Sequence, residues 1–373
     1  MPFHTDVSED GSGHLNGVVR NGEERLPFSS VKLKGDSIYF VFEHYDSILR
    51  GTVSGDRKNI SGIWTRRSMG DQRTTMKFSA KKDNPARFEL IDESYMPQGI
   101  MENISGEWIT YFGEDPENHS QAIFEQDDNG IVTGTFLTDV GDFRYLEGTY
   151  EKGVLRLSVF DGAHAFLFAG AVDSDGKMTG KFFSRNSAGI DWTATRGSKA
   201  MPDPYTLTKL TNNERKFRFS FPDVDGNIVS NEDERFSGKA SLVYIFGTWC
   251  PNCNDEVQLL VELNKKYHDR GLEIVGLANE FSDDFEKDSE IVKTYMKKYS
   301  VTWPMLVVGV ANKRRTQELL PDLDRVLSYP TTVFIDRQGK VFKIHTGFTG
   351  PGTGEHHIKL VEEFNKNIEA ILK

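Results

Sequence analysis

The chain has 373 residues and a formal net charge of -11, with 27% charged and 37% hydrophobic residues. A single hydrophobic core rarely grows beyond about 250–300 residues, so we expect at least two domains. The composition is that of a folded globular protein. The acidic charge argues against a nucleic-acid partner, because phosphate recognition needs an excess of Lys and Arg.

The chain shows no apolar run long enough to span a bilayer; the longest, around residues 240–246, is typical of a buried strand. Its first residues, Met1 to His4, lack the charged-then-apolar layout of a secretory signal. The sequence therefore leaves two alternatives, which are a cytoplasmic protein and a protein whose leader is absent from this chain.

Residues 18–196 are short alternating segments rich in Val, Ile, Thr, Phe and Tyr, broken by Gly, Asp and Asn turns. Residues 36–42 are an example. This period-two patterning predicts an antiparallel all-β domain over residues 1–198, closed as a barrel or stacked as a sandwich. We expect three tryptophans in its core, namely Trp64, Trp108 and Trp192.

This β half resembles a duplicated meander. Three pairs of segments are similar at nearly constant separation, namely 16–19 with 133–136, 48–53 with 167–172 and 59–64 with 177–182. We predict two repeats, 1–85 and 103–197; chance similarity among glycine-punctuated strands is the alternative. The second repeat opens with a predicted strand over 105–111, whose counterpart would precede Met1, so we expect a longer precursor.

Residues 199–216 are rich in turn-forming residues, which predicts a linker. Strand and helix patterns then alternate over 217–373, which predicts an α/β fold with a mostly parallel sheet and an antiparallel strand at its edge. The predicted strands are 241–246, 272–278, 305–308, 331–335 and 341–346. The predicted helices are 250–270, 283–299, 312–327 and 355–372.

The chain has two cysteines, Cys250 and Cys253, in one Cys-x-x-Cys motif. Two thiols cannot supply the four ligands of a structural zinc site, and no histidine pair at finger spacing accompanies them. A disulfide that closes so short a loop stabilises a fold weakly, because the effect grows with loop length. The motif therefore indicates redox chemistry, with two inert thiols as the alternative.

The motif follows a predicted buried strand and opens a predicted helix. At that place, unpaired backbone N–H groups and the helix dipole favour a thiolate, so we expect Cys250 to be the nucleophile. Cys253 lies one turn further and is placed to resolve a mixed disulfide, and Pro251 suits the first helical turn. Glu256 shares the helix face of Cys253 and is a candidate proton relay; a solvated glutamate is the alternative.

A second motif, Tyr329-Pro330-Thr331-Thr332, precedes a predicted strand. An X-Pro bond at this place could be cis and could expose backbone groups that pair with an extended substrate segment. An ordinary proline at a strand edge is the alternative.

Together these motifs resemble the extracytoplasmic TlpA/ResA branch of thioredoxin-like proteins over about residues 217–373. The resemblance rests on 246–253, Glu256, 329–332 and 334–341. It implies a thioredoxin-like fold and a membrane-anchored or periplasmic thiol–disulfide oxidoreductase. Members usually reduce disulfides of particular proteins, often in cytochrome c maturation.

The resemblance implies that Cys250 is the attacking thiol, Cys253 the resolving thiol and Glu256 the acidic residue near the dithiol. The resemblance places four further residues at the substrate, namely Trp249, Pro251, Tyr329 and the cis-proline Pro330. Tyr244 occupies the strand position of a buried acid in thioredoxin, which puts more weight on Glu256. Gln258 stands where the family often has proline.

The resemblance implies no metal and no cofactor other than the Cys250–Cys253 disulfide. The implied partners are a disulfide-bearing protein and an upstream electron donor, in the periplasm or another extracytoplasmic space. The precursor could be anchored to the membrane.

Two alternative functions stay open. One is a ligand- or protein-binding β-domain protein with a secondary redox module. The other is a thiol peroxidase, which the spacing disfavours because Thr248 lies two residues before Cys250 rather than three.

Overall fold

The computed structural model describes residues 1–90, 103–113 and 119–373, so residues 114–118 of the second predicted repeat lie outside the described residues. The chain divides into two compact units. The first comprises Met1–Arg67, Arg73–Thr138 and Phe143–Met201, and the second comprises Ser68–Gln72, Asp139–Asp142 and Pro202–Lys373. The predicted domain, linker and repeat limits stay predictions.

The first unit begins with an antiparallel sheet of eight strands. The strands are β1 His4–Glu9, β2 Leu15–Asn21, β3 Glu24–Pro27, β4 Ser30–Lys34, β5 Ser37–Phe42, β6 Ser47–Val53, β7 Asn59–Arg67 and β8 Arg73–Lys81. Their order is β1-β2-β4-β5-β6-β7-β8, and β3 pairs with β2. Along β5, Ile38, Phe40 and Phe42 are buried and alternate with less buried neighbours, which confirms the predicted period-two strand.

The second sheet of this unit closes on itself. The strands between residues 106 and 196 are β9 Gly106–Phe112, β10 His119–Gln126, β11 Ile131–Thr138, β12 Gly141–Asp142, β13 Leu146–Glu151, β14 Val154–Phe160, β15 Ala165–Val172, β16 Met178–Ser184 and β17 Ile190–Arg196, of which β12 is assigned to the second unit. Eight of them pair in the order β10-β9-β17-β16-β15-β14-β13-β11, and β10 also pairs with β11. Aromatic side chains fill the interior, where the Phe136 and Phe168 rings stack at 4.4 Å. The predicted burial of Trp64, Trp108 and Trp192 is confirmed.

Each of the two sheets contains a pair of facing glycines at which two neighbouring strands come close together. Gly51 faces Gly62 across β6 and β7, and Gly170 faces Gly180 across β15 and β16. A Cβ on Gly62 or on Gly180 would overlap the backbone of the partner strand, so a larger residue does not fit. These glycines lie in the segments that suggested the duplication.

The second unit has an α/β fold, as predicted. Its strands are β18 Ser220–Pro222, β19 Ile228–Ser230, β20 Ala240–Phe246, β21 Leu272–Glu280, β22 Met305–Val310, β23 Thr331–Ile335 and β24 Val341–Thr346. Its helices are α1 Pro251–Tyr267, α2 Phe285–Tyr299, α3 Lys313–Leu319 and α4 Glu355–Ile371. Five strands form one sheet in the order β22-β21-β20-β23-β24. The strand that runs antiparallel to β20 is β23, and it lies one position inside the sheet edge rather than at the edge as predicted. The edge strand is β24, which pairs antiparallel with β23.

The predicted helix over 312–327 is wrong in its second half, because α3 ends at Leu319. The apolar spacing beyond that point suits a helix, but the backbone there bonds elsewhere. The Asp324 N–H donates to a carbonyl oxygen of residues 209–211, and an N–H of those same three residues donates to the Asp322 carbonyl oxygen. Tertiary pairing therefore replaces the helical hydrogen bonds.

Across the described ranges, no helix combines the length and the apolar character that a membrane crossing requires.

Candidate active site

The two cysteines lie where strand β20 ends and helix α1 begins. Strand β20 is buried along its whole length, which anchors the chain just before the motif. Cys250 is the N-terminal cap residue of α1, and Cys253 lies in the first turn. Cys250 is 8% exposed and Cys253 is fully buried. A disulfide that approaches from solvent therefore meets Cys250 first.

The structure brings the Cys-x-x-Cys motif and the Tyr-Pro motif together. The Cys250 Sγ donates a hydrogen bond to the Tyr329 carbonyl oxygen at 3.3 Å, across 79 residues of sequence. The Tyr329–Pro330 peptide bond is cis, as the resemblance implies. The backbone of Tyr329 therefore borders the sulfur that we expect to attack.

The environment of Cys253 opposes its ionisation. Burial, reinforced by a hydrogen bond with the Cys250 side chain, raises the pKa of Cys253 well above its ordinary value. The negative charge of an ionised Glu256 raises this pKa further. Cys253 therefore stays protonated near neutral pH in the dithiol and needs a proton acceptor before it can attack.

Glu256 is fully buried rather than solvated. Its Oε1 accepts a hydrogen bond of 2.7 Å from the Thr332 hydroxyl, and Oε2 has no hydrogen-bond partner among the described residues. Burial raises the pKa of Glu256 to about 8, against a smaller lowering by Thr332. The carboxyl can therefore bind or release a proton close to physiological pH.

Two tyrosines hold the first turn of α1. The Tyr244 hydroxyl donates to the Cys253 carbonyl oxygen at 2.6 Å, and the Tyr295 hydroxyl donates to the same oxygen at 3.2 Å. Tyr244 lies on β20 beneath the helix, at the position where thioredoxin has an acid. It therefore supports the helix through a hydrogen bond and carries no carboxylate, which leaves Glu256 as the buried acid near Cys253.

The loop before the cysteines is held by the end of strand β21. The Thr248 N–H and hydroxyl both donate to the buried Glu280 carboxylate, at 2.9 and 2.7 Å. The Trp249 indole N–H donates to the Asn279 carbonyl oxygen at 2.8 Å. A carboxylate that accepts two hydrogen bonds fixes the loop more firmly than a neutral acceptor would.

The remaining predicted residues lie around Cys250. Trp249 stacks on Phe281 with ring centroids 5.0 Å apart, and its ring meets the edge of Tyr329 at 5.6 Å. Pro251 is buried at the first position of α1, as expected for a residue that lacks an N–H. The predicted site residues thus lie together around Cys250. Their roles toward a substrate stay a proposal.

Sequence reasoning did not find Asn279, Glu280 or Tyr295. One signal was available for the first two, because Asn279 and Glu280 are polar residues at the carboxyl end of a strand parallel to β20. Functional side chains collect at such strand ends in α/β sheets. Tyr295 gave no signal, since it lies on an apolar helix face like any core residue. In the part of the chain that the structure describes, no group of three His, Cys, Asp or Glu side chains could hold a metal ion.

Comparison with known proteins gives matches to the C-terminal part of the chain, which contains the dithiol. Residues 209–358 match the Redoxin family. The chain is 28% identical over 150 residues to the thiol-disulfide oxidoreductase ResA of Bacillus thuringiensis subsp. konkukian, an alignment that covers 40% of this chain and 74% of that protein. It is 30% identical over 129 residues to the thioredoxin-like protein YneN of Bacillus subtilis, covering 35% and 68% respectively.

Among solved structures, a thioredoxin-family thiol:disulfide interchange protein from Chlorobium tepidum TLS is similar to this chain. The identity is 25%, the match covers 47% of this chain and 100% of that chain, and the TM-score is 0.32. The Redoxin match of 209–358 includes the dithiol, Glu256 and the Tyr329–Pro330 bond.

Proposed function

Because this chain belongs to the TlpA/ResA-like thiol–disulfide oxidoreductases of the thioredoxin-like superfamily, we propose that it reduces disulfides of partner proteins through Cys250 and Cys253. The direction of electron transfer and the role of each residue are the proposed part. The observation that carries the proposal is the 3.3 Å contact of Cys250 Sγ with the Tyr329 carbonyl, at the N-terminus of α1.

The reaction proceeds in two exchanges. The Cys250 thiolate attacks one sulfur of the substrate disulfide, a Cys250–substrate bond forms, and the other substrate sulfur leaves as a thiolate. The Cys253 thiolate then attacks Cys250, the Cys250–Cys253 disulfide forms, and the second substrate sulfur leaves. The substrate gains two electrons and the protein loses two. An upstream dithiol donor must reduce Cys250–Cys253 before the next turnover.

We assign Glu256 as the group that accepts the Cys253 proton. Cys253 is protonated near neutral pH because burial raises its pKa, and Glu256 follows it by three residues on the same helix face. With a pKa raised to about 8, the carboxylate is a stronger base than an exposed glutamate would be. Glu256 therefore supplies the acceptor that the second exchange requires.

We further propose an extracytoplasmic setting and a substrate in cytochrome c maturation. The likeness of the sequence motifs to the TlpA/ResA branch supports this setting. Absence of a metal or organic cofactor belongs to the same proposal, because the electrons reside on the two sulfurs. A membrane-anchored precursor is compatible with it.

A Cys253→Ser variant should trap the substrate. Without Cys253, the second exchange stops and the substrate stays bound to Cys250 through a disulfide. Expressed in its native cell, the variant should give a complex on non-reducing gels that a reductant dissolves, and mass spectrometry should identify the held protein.

The matched control is Cys250→Ser, which should hold no protein because the attacking sulfur is gone. A complex of equal yield with Cys250→Ser would contradict the assigned order of attack. A partner confined to the cytoplasm would contradict the extracytoplasmic setting.

Two observations favour the oxidoreductase over a peroxidase or a ligand-binding β domain. The Thr248 hydroxyl donates to Glu280 and is engaged away from Cys250, which weakens the peroxidase alternative further. The interior of the closed sheet holds packed aromatic rings, including Phe136 and Phe168. A ligand-binding β domain would need a cavity with convergent polar groups.

A further inference from the structure

A short segment outside the motifs contacts residues that neighbour the dithiol. Residues 139–142 belong to the second compact unit. The Ser328 hydroxyl donates to the Val140 carbonyl oxygen at 3.0 Å, and the Asn252 amide donates to the Asp142 carbonyl oxygen at 3.4 Å. The Gly350 N–H donates to Asp142 Oδ2 at 2.6 Å. Three donors thus point at one segment of four residues.

Two of these donors lie next to the dithiol, and the third comes from a separate connection. Asn252 stands between the two cysteines, and Ser328 precedes the residue whose carbonyl bonds Cys250. Gly350 lies in the connection from β24 to α4. The 139–142 segment therefore contacts the first turn of α1, the residue before Tyr329 and the β24–α4 connection.

The contact is close enough to exclude a side chain. Gly347 has a φ of +83°, and a Cβ there would lie 2.6 to 2.9 Å from three backbone atoms of Val140. On Gly141, a Cβ would overlap the Asn252 amide. At Gly347 backbone meets backbone, and at Gly141 backbone meets the Asn252 side chain, so a second peptide does not fit at either contact.

The chain that carries a protein disulfide would occupy the surface that the 139–142 segment covers. An extended chain advances about 3.3 Å per residue, so four residues that carry a sulfur to Cys250 cover about 13 Å. Pairing with the Tyr329 backbone would direct such a strand over the neighbouring Ser328 or Asn252. Those are the residues that the 139–142 segment already engages.

We propose that the 139–142 segment determines which disulfides react with Cys250. This inference rests on the proposed function and adds a substrate class. A small disulfide reaches Cys250 past the segment. A protein disulfide reacts when its own extended chain displaces the segment and offers acceptors to the Ser328 hydroxyl, the Asn252 amide and the Gly350 N–H.

The test compares two disulfides in single turnovers of the reduced full-length chain. One is 2-hydroxyethyl disulfide and the other is insulin, with loss of protein thiols followed by acid quench and alkylation. Asp142→Ala removes the charged acceptor of the Gly350 N–H, and Asp142→Asn keeps its size without the charge. Asp336→Ala is the control, because Asp336 bonds the N–H groups of Gln338 and Lys340 in a turn at the far end of β23.

We expect Asp142→Ala to raise the rate constant with insulin by about five- to tenfold, since a hydrogen bond to a charged group is among the stronger ones. Asp142→Asn should give a smaller rise. The rate with 2-hydroxyethyl disulfide should stay unchanged in both variants, and Asp336→Ala should change neither rate. Circular dichroism of each variant verifies folding before the rates are compared.

An unchanged or lower insulin rate in both folded Asp142 variants would overturn the specificity role while leaving the oxidoreductase function intact. Equal increases with both disulfides would also overturn it, because the segment would then act on the dithiol itself. If the wild-type chain reduces neither disulfide, the proposed function and this inference both fail.

Discussion

Replacing Glu256 with Gln should slow the second exchange by about 100-fold at pH 8, the lower end of what a positioned proton acceptor contributes. The glutamine keeps the size of the side chain and an acceptor for the Thr332 hydroxyl but cannot take the Cys253 proton. Cys253 itself does not ionise readily, because burial raises its pKa well above the ordinary value. Release of the second thiol from the mixed disulfide therefore depends on the Glu256 carboxylate.

Stopped-flow reaction of the reduced protein with 5,5′-dithiobis(2-nitrobenzoate) separates the two exchanges, because each one releases a coloured thiolate. In the wild type the second phase should accelerate with pH and level off near 8, the raised pKa of Glu256. In Glu256→Gln that plateau should vanish while the first phase is unchanged.

Two further variants sharpen this result. Glu262→Gln changes an exposed glutamate of the same helix, paired with Lys265, and should leave both phases unaltered. Thr332→Val removes a hydrogen bond that lowers the pKa of Glu256, so its plateau should move to higher pH. A second phase that is equally fast in Glu256→Gln would contradict the relay.

The contribution of Glu256 to the free energy of unfolding of the reduced protein should fall by roughly 3 kcal/mol as pH rises from 5 to 8. In the folded state the pKa of Glu256 is raised from 4.5 to about 8. Between these values the native protein keeps a proton that the unfolded chain has lost. This contribution is fully present below pH 4.5 and is lost as pH rises through 8.

Urea unfolding of wild type and Glu256→Gln at pH 5 and pH 8 measures this effect. The variant matters because burial lowers the pKa of His345 to about 4, which makes stability rise with pH up to the ordinary pKa of histidine. Subtracting the variant's pH dependence from that of the wild type cancels the His345 contribution. A difference near zero would show that Glu256 titrates as an exposed carboxyl does.

The sequence predicts the second unit well because its strands are continuous apolar runs. Strand β20 is buried at every position, and such a run between turn-forming residues has few other interpretations. Cys250, Cys253, Glu256 and Pro330 were predicted as site residues because each belongs to a local pattern. An antiparallel β domain, either a barrel or a sandwich, was predicted from period two, which depends on neighbours in the chain.

Long-range contacts are what the sequence could not supply. Glu280 bonds Thr248 across 32 residues, and Val140 meets Ser328 across 188 residues. Neither pair follows a repeat or a spacing rule. The over-long helix at 312–327 has the same cause, because residues 209–211 take its backbone hydrogen bonds.

The proposed function requires that Cys250 and Cys253 interchange between a dithiol and an intramolecular disulfide. Equilibration with graded ratios of reduced and oxidised dithiothreitol, followed by alkylation and mass spectrometry, tests it directly. Both thiols should be alkylated at the reducing end and neither at the oxidising end, in one two-electron transition within the chain. Two alkylated thiols at every ratio would contradict it.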